Sequence, residues 1–221
     1  MLNKRAFGME FLGTMILAIA VVGSGHMAAQ LSNDSATRLL INALASAIGL
    51  AVVIRIGIKI SGSHFNPVVT LAMLYLKKLN LVDAAIYIAA QISGAIIGVG
   101  IANLMYEEAF LEVSQIKRNG SNLFFSEVLA TAVLLWIILR FLKQDDLISL
   151  YVPLWIFGAI LLTSSTSFAN PAITIGRTFT NSFTGIAPSS IMLFISAQIV
   201  GGLIGMTVAK NLTESSKDKN E

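Results

Sequence analysis

Apolar residues run in six long blocks, at about 8–29, 39–57, 82–104, 123–142, 147–164 and 190–209, with short polar stretches between them. A helix of about 20 apolar residues reaches across the hydrocarbon of a bilayer, so each block predicts a membrane-spanning helix. Two further stretches, 60–76 and 163–182, are too broken to span. Each has a Ser/Gly-rich part, then Asn-Pro, then about ten helix-compatible residues, and ten residues rise about 15 Å, half the hydrocarbon thickness. They predict half-helices that re-enter the membrane, one from each face. Irregular backbone at that depth is tolerated only where it is buried or lines water. The predicted fold class is an all-α membrane protein of six transmembrane helices and two re-entrant half-helices.

The two Asn-Pro motifs are Asn66-Pro67-Val68 and Asn170-Pro171-Ala172. Asn is a strong helix N-cap, and Pro suits the first helical position. Each motif therefore marks a helix start, which carries unpaired N–H groups and about half a positive charge. Two such starts meeting at mid-bilayer make a polar, cation-repelling point with two side-chain amides to offer. That is chemistry suited to a channel for small neutral molecules.

The halves of the chain match in three places and in the same order. Glu10-x-Leu12-x-Thr14 matches Glu127-x-Leu129-x-Thr131. Asn66-Pro67-Val68-Val69-Thr70 matches Asn170-Pro171-Ala172-Ile173-Thr174. Ala90-Gln91-Ile92-x-Gly94-x-Ile96-Ile97-Gly98 matches Ala197-Gln198-Ile199-x-Gly201-x-Leu203-Ile204-Gly205. Three matches in register point to a duplication, with repeat one at about 1–105, repeat two at about 123–212 and a cytoplasmic tail at 213–221. Each half has three spans, an odd number, so the second half enters from the opposite side, as an inverted repeat. Gly94/Gly98 and Gly201/Gly205 have the small-xxx-small spacing of close helix contacts.

Composition narrows the class further. The chain is 55% hydrophobic and 12% charged, with a mean hydropathy of +0.78, which a soluble domain rarely reaches. The expectation is one membrane channel domain over 1–221 and no soluble one. The first apolar block follows Lys4 and Arg5 like a signal peptide, but its length, its Glu10 and the spans after it predict a retained helix. With both termini cytoplasmic, the inner side holds Lys4, Arg5, Arg55, Lys59, Lys77, Lys78, Arg140, Lys143, Lys210, Lys217 and Lys219. The outer side holds Arg38, Lys117 and Arg118, in keeping with the positive-inside rule. This distribution accounts for the basic charge with no nucleic-acid partner. The chain has no Cys and two His, which leaves no disulfide, thiol catalysis or His/Cys metal site. No nucleophile–base pair is evident, so no enzyme and no cofactor are expected.

On these residues the chain resembles the aquaporin and aquaglyceroporin, or major intrinsic protein, family over nearly its whole length. The carriers are Ser61-Gly62-Ser63-His64-Phe65-Asn66-Pro67-Val68, Asn170-Pro171-Ala172, paired Glu10 and Glu127, and paired Gln91 and Gln198. The resemblance implies a homotetramer in the lipid bilayer with one pore per subunit, passing water and small neutral solutes. It implies that Asn66 and Asn170 donate hydrogen bonds at the pore centre. Backbone carbonyls around Gly62, Ser63 and Phe65, and around Thr166 and Phe168, would line one wall. His64 would line the cytoplasmic vestibule, or serve as a structural histidine bonded to its own loop. Glu10 and Glu127 would brace the half-helix loops; a proton relay is the alternative for carboxylates at this depth.

The departures from the family pattern carry as much information. Most members place Arg directly after the second Asn-Pro-Ala, where it narrows the outer filter and repels cations; here that position is Ile173. Arg177 lies one helical turn further on and either reaches back to the mouth or pairs with a loop or headgroup. Family spacing puts the other filter positions at Ser46, Gly158 and Ser167, none of them aromatic or His. Such a filter is wider and less polar than a water-only one. Val68 replaces the usual Ala of the first motif and is expected along the pore. The stretch 165–177, with Gly185-Ile186-Ala187-Pro188 beyond it, resembles a bacterial subgroup with Val or Ile for the filter Arg, often linked to arsenic resistance.

The resemblance thus implies a passive channel for water, glycerol or neutral metalloid acids such as arsenite, in a bacterial plasma (inner) membrane. The alternatives are a water-selective pore with Arg177 as its filter, a coupled secondary transporter, and a junction protein, against which the short outer loops stand. Asn119-Gly120-Ser121 and Asn211-Leu212-Thr213 match the glycosylation pattern, a weak motif whose second copy falls on the inner side.

Overall fold

The computed structural model describes residues 4–217. Its helices are α1 (Lys4–Leu31), α2 (Ser35–Gly57), α3 (Pro67–Tyr75), α4 (Leu81–Leu104), α5 (Ser121–Arg140), α6 (Asp145–Leu162), α7 (Pro171–Gly176) and α8 (Ile191–Lys217). Single 3₁₀ turns at Arg177–Phe179 and Pro188–Ser190 continue α7 and open α8. Six of the helices are long and apolar enough to cross a membrane, and α3 and α7 are the two short ones. The tail expected at 213–221 is helical through Lys217, as an extension of α8, and its remainder lies outside the described residues.

The starts of the helices follow local chemistry. Asp34 caps α2 by accepting from the Thr37 N–H at 2.7 Å. Asn80 caps α4 by accepting from the Asp83 N–H at 2.9 Å. Asn66 and Asn170 cap the two short helices in extended backbone, each followed by Pro at the first helical position.

The duplication is visible in the packing. Helix α1 lies along α4, α5 lies along α8, and α2 meets α6 between the halves. A Cβ placed on Gly94 would stand 2.4 Å from the Phe11 carbonyl oxygen, and one on Gly98 would stand 2.3 Å from that of Met15. In the second half, Gly201 faces the Val128 carbonyl at the same 2.4 Å and Gly205 that of Ala132 at the same 2.3 Å. The small-xxx-small pairs therefore bring backbone against backbone, as lipid-immersed helices require when no water drives them together. This contact fixes α1 against α4 and α5 against α8, the frame from which the half-helices hang.

Candidate functional site

The two half-helices point their N-termini at each other. Asn66 accepts from the Val68 N–H at 3.0 Å through its side-chain oxygen, and Asn170 accepts from Ala172 at 3.0 Å and Ile173 at 3.3 Å. The amide nitrogens reach across. Asn66 Nδ2 donates to the Ala169 carbonyl at 2.7 Å, and Asn170 Nδ2 donates to the Phe65 carbonyl at 2.8 Å. A carboxamide has two N–H donors, so each Asn ties down the opposite loop with one and keeps one for the space between.

Both loops are held from behind by a glutamate. Glu10 accepts from the N–H groups of His64 (2.9 Å) and Phe65 (2.7 Å), from Ser61 Oγ (2.6 Å) and from Gln91 Nε2 (2.7 Å). Glu127 accepts from Phe168 (2.9 Å), Ala169 (2.9 Å), Ser165 Oγ (2.6 Å) and Gln198 Nε2 (2.7 Å). The glutamines also donate to Thr70 and Thr174, at 2.9 and 3.0 Å, and those hydroxyls bond the carbonyls of Asn66 and Asn170. The two threonines close each brace. They were legible as repeat matches, but their role was not.

This bracing turns the loop backbone. Ser63 and Phe65 in one loop, and Ser167 and Ala169 in the other, have positive φ between 43° and 51°. Non-glycine residues adopt that region at a cost, and they persist there only when the surroundings dictate it. Among the described residues no peptide bond is cis. In a trans peptide the carbonyl points opposite to the N–H. With the His64 and Phe65 N–H groups on Glu10, the carbonyls of Ser63 and His64 point away from it. The same geometry turns the Ser167 and Phe168 carbonyls away from Glu127.

A cavity of about 480 Å³ runs between the two asparagines. It reaches Lys78, Leu79 and Asp145 at one end, beyond α3, and Asn42, Thr166 and Arg177 at the other, beyond α7. One wall is the loop pair: Gly62, Ser63, His64, Phe65 and Asn66, then Thr166, Ser167, Phe168, Ala169 and Asn170. The rest is largely aliphatic, with Leu17 and Val21 of α1, Leu50 and Ile54 of α2, Leu134 and Ile138 of α5, and Ile173 of α7. Ser46 and Ser167 also line it, and neither hydroxyl has a protein partner. His64 sits on the wall, bonded through Nδ1 to Thr70 Oγ1 at 3.1 Å and edge-on to the Tyr87 ring at 5.3 Å. Its ring thus lines the wall and bonds a side chain of α3 rather than the backbone of its own loop.

Two expected pore residues lie elsewhere. Gly158 is off the cavity, and α6 presents Ile148, Val152, Ile156 and Ile160 instead, a stripe with the spacing of one helix face. A slip of two residues in register turns a helix by about 200°, to its opposite side. The spacing argument for α6 was off by that much. Val68 faces α8: a Cβ on Gly202 would stand 2.5 Å from Val68 Cγ1. By the repeat register the corresponding positions in the other half are Ala172 and Ala95. The larger Val68 is thus matched by a smaller partner, so its departure from Ala is absorbed in packing and not in the lumen.

Arg177 reaches both the mouth and a loop, the two options its sequence position left open. It lines the cavity, its Nε donates to the Thr184 carbonyl, and its guanidinium lies 3.3 Å from the centroid of the Phe168 ring. Arg118 approaches the same ring at 5.3 Å, donating to the carbonyls of Gly185 (2.8 Å) and Phe183 (2.7 Å). Nothing in the sequence marked Arg118 for this place.

The profile of the major intrinsic protein family matches residues 1–168. Aquaglyceroporin AqpS of Rhizobium meliloti is 37% identical over 94% of this chain and 90% of its own. Glycerol uptake facilitator protein-like 6 of Lactiplantibacillus plantarum is 31% identical over 93% of this chain and 97% of its own. The X-ray structure of the aquaglyceroporin from Plasmodium falciparum shares the fold at a TM-score of 0.75 and 22% identity, covering 92% of this chain and 93% of that one.

Proposed function

The chain belongs to the major intrinsic protein family, and from that premise we propose that it is a passive channel for water and small uncharged solutes, glycerol and neutral metalloid acids such as arsenite among them. The observation that carries this reading is the cavity, amphipathic along its length and passing both asparagine amides. A polyol sliding through it puts hydroxyls on the loop carbonyls and the Asn N–H groups and carbon on the aliphatic wall. Arsenite is an uncharged triol-like acid at neutral pH and asks for the same surface. Ile173 stands at the position where a guanidinium would narrow the passage, which favours solutes larger than water.

Ions are excluded by desolvation. Stripping water from an ion costs far more than stripping it from a hydroxyl, and the aliphatic wall gives nothing back. The facing helix starts add a positive potential at the centre. A coupled transporter would need a protonatable or ion-coordinating site at mid-membrane, for which the two glutamates are the candidates. Glu10 and Glu127 lie off the cavity with four hydrogen-bond donors each, which supports bracing over proton relay. We further propose the homotetramer of the family, in a bacterial plasma (inner) membrane, with both termini cytoplasmic on the strength of the basic-residue distribution.

Stopped-flow light scattering of proteoliposomes tests the reading, with water, glycerol and arsenite compared in one preparation. Uptake of glycerol and arsenite that follows the solute gradient alone is expected. Uptake that saturates and follows an ion gradient overturns the channel. Passage of water alone makes the pore water-selective, with Arg177 as its filter.

A further inference from the structure

We propose that the outer mouth of this pore divides filtering between two residues one helical turn apart: Ile173 sets the width and Arg177 supplies the charge barrier against cations. The inference rests on the solute-pore reading above. Both residues line the cavity and are buried, at 4% and 5% exposure. They are four positions apart along α7 and its 3₁₀ extension, so they fall on one face, with Arg177 about 6 Å further out.

The guanidinium is held in place from two sides. It lies against the Phe168 ring at 3.3 Å, and Nε is committed to the Thr184 carbonyl. A cation held against a ring that lines the cavity sets positive charge at the wall of the lumen. Its remaining N–H groups have no protein acceptor among the described residues, and the side chain borders the cavity. No described carboxylate pairs with it. The described ion pair is Arg55–Asp146, and Glu127 already holds four donors. Arg118, on the same aromatic ring, adds a second positive charge behind it. A cation entering from this end meets an unpaired guanidinium in a poorly screening environment, where charge acts over a longer reach than in water. A neutral polyol meets N–H donors and, one turn deeper, the branched side chain of Ile173.

The competing role is a strut: Arg177 would tie the 180–187 loop to the wall through Thr184 and have no bearing on ions. The full chain in proteoliposomes separates the two. Sodium and proton leak is read with entrapped dyes, beside glycerol uptake in the same vesicles. Arg177→Gln and Arg177→Met remove the charge. Each is expected to raise cation leak at least about tenfold, as loss of an unscreened charge at a constriction does. Arg177→Lys keeps the charge and must keep the leak closed. Ile173→Ala is expected to admit larger polyols with no added leak. Wild-type leak in an inserted neutral variant overturns the proposal, as does Arg177→Lys leaking as much as Arg177→Gln. If neither neutral variant inserts while Arg177→Lys does, Arg177 is a strut and the proposal falls. A wild type that passes no glycerol overturns the solute reading, while the leak comparison still decides the charge barrier.

Discussion

Asn66 hangs the opposite half of the molecule from its side chain: its Nδ2 donates to the carbonyl of Ala169 at 2.7 Å, across 103 positions of sequence. Asn170 returns the bond to Phe65 at 2.8 Å. The centre of the cavity is therefore a crossed pair of tethers, and the amides proposed to face a permeant also tie the two half-helix loops together.

Asn66→Asp and Asn170→Asp remove that donor and place a carboxylate against a carbonyl oxygen. A buried acceptor left without its donor costs about 1–3 kcal/mol, so a lower thermal midpoint in detergent is expected for each. A negative charge at the centre also attracts cations. Glycerol uptake is expected to fall and sodium leak to rise. Variants with wild-type uptake and leak would show that these motifs are not the pore centre.

Glu10→Ala and Glu127→Ala each strip four donors of their acceptor, two of them backbone N–H groups. At about 1–3 kcal/mol for each unsatisfied buried group, either change is expected to remove most of the protein from the monodisperse peak in size-exclusion chromatography. The loops would also lose the positive-φ turns that aim their carbonyls. A Glu127→Ala protein that assembles and melts normally but loses a pH-dependent flux would instead mark a proton relay.

Ile173→Arg puts a guanidinium one turn inside Arg177, on the same face. Glycerol and arsenite uptake are expected to drop at least about tenfold, a size effect at a constriction, while some water flux survives. Osmotic swelling rates compared across the three solutes are the measurement. Unchanged large-solute uptake would mean that α7 does not set the width.

Val68 and Gly202 form a fitted pair, since a Cβ at 202 would stand 2.5 Å from Val68 Cγ1. Gly202→Ala is expected to destabilise by about 1–3 kcal/mol through overpacking. Val68→Ala in the same chain should recover most of that loss, giving a coupling beyond the sum of the single changes. Thermal midpoints of the four proteins in one detergent test it, and simple additivity would remove the pairing.

The ion pair between Arg55 of α2 and Asp146 of α6 is a control. Both side chains are mostly exposed, at 63% and 82%. Exposed pairs contribute about 0–1 kcal/mol, so Asp146→Asn is expected to leave the thermal midpoint and glycerol uptake near wild type. A large loss would assign this contact a structural role that its exposure argues against.

Much of this molecule is written in short-range chemistry that a single sequence displays. Block length in apolar residues determines which segments can span, because the bilayer has one thickness. Asn-Pro determines where the half-helices begin, because a cap and a fixed φ act within three residues. The order of Glu, Asn-Pro and Gln in each half announces the duplication, and the glycine pairs announce close helix contacts, while the structure names α1 and α5 as their partners. Only the tertiary structure decided which face of each helix meets the lumen. Two residues of register turn α6 from Gly158 to Ile156 and Ile160, and no local signal fixes that rotation, which depends on what α2 and α5 leave uncovered. Val68 was drawn away from the cavity by a space at Gly202, a partner 134 positions distant. The reach of Arg177 was decided the same way. A long side chain can point several ways from one backbone position, and the Phe168 ring and the Thr184 carbonyl, supplied by the folded loops around it, select the one that borders the cavity.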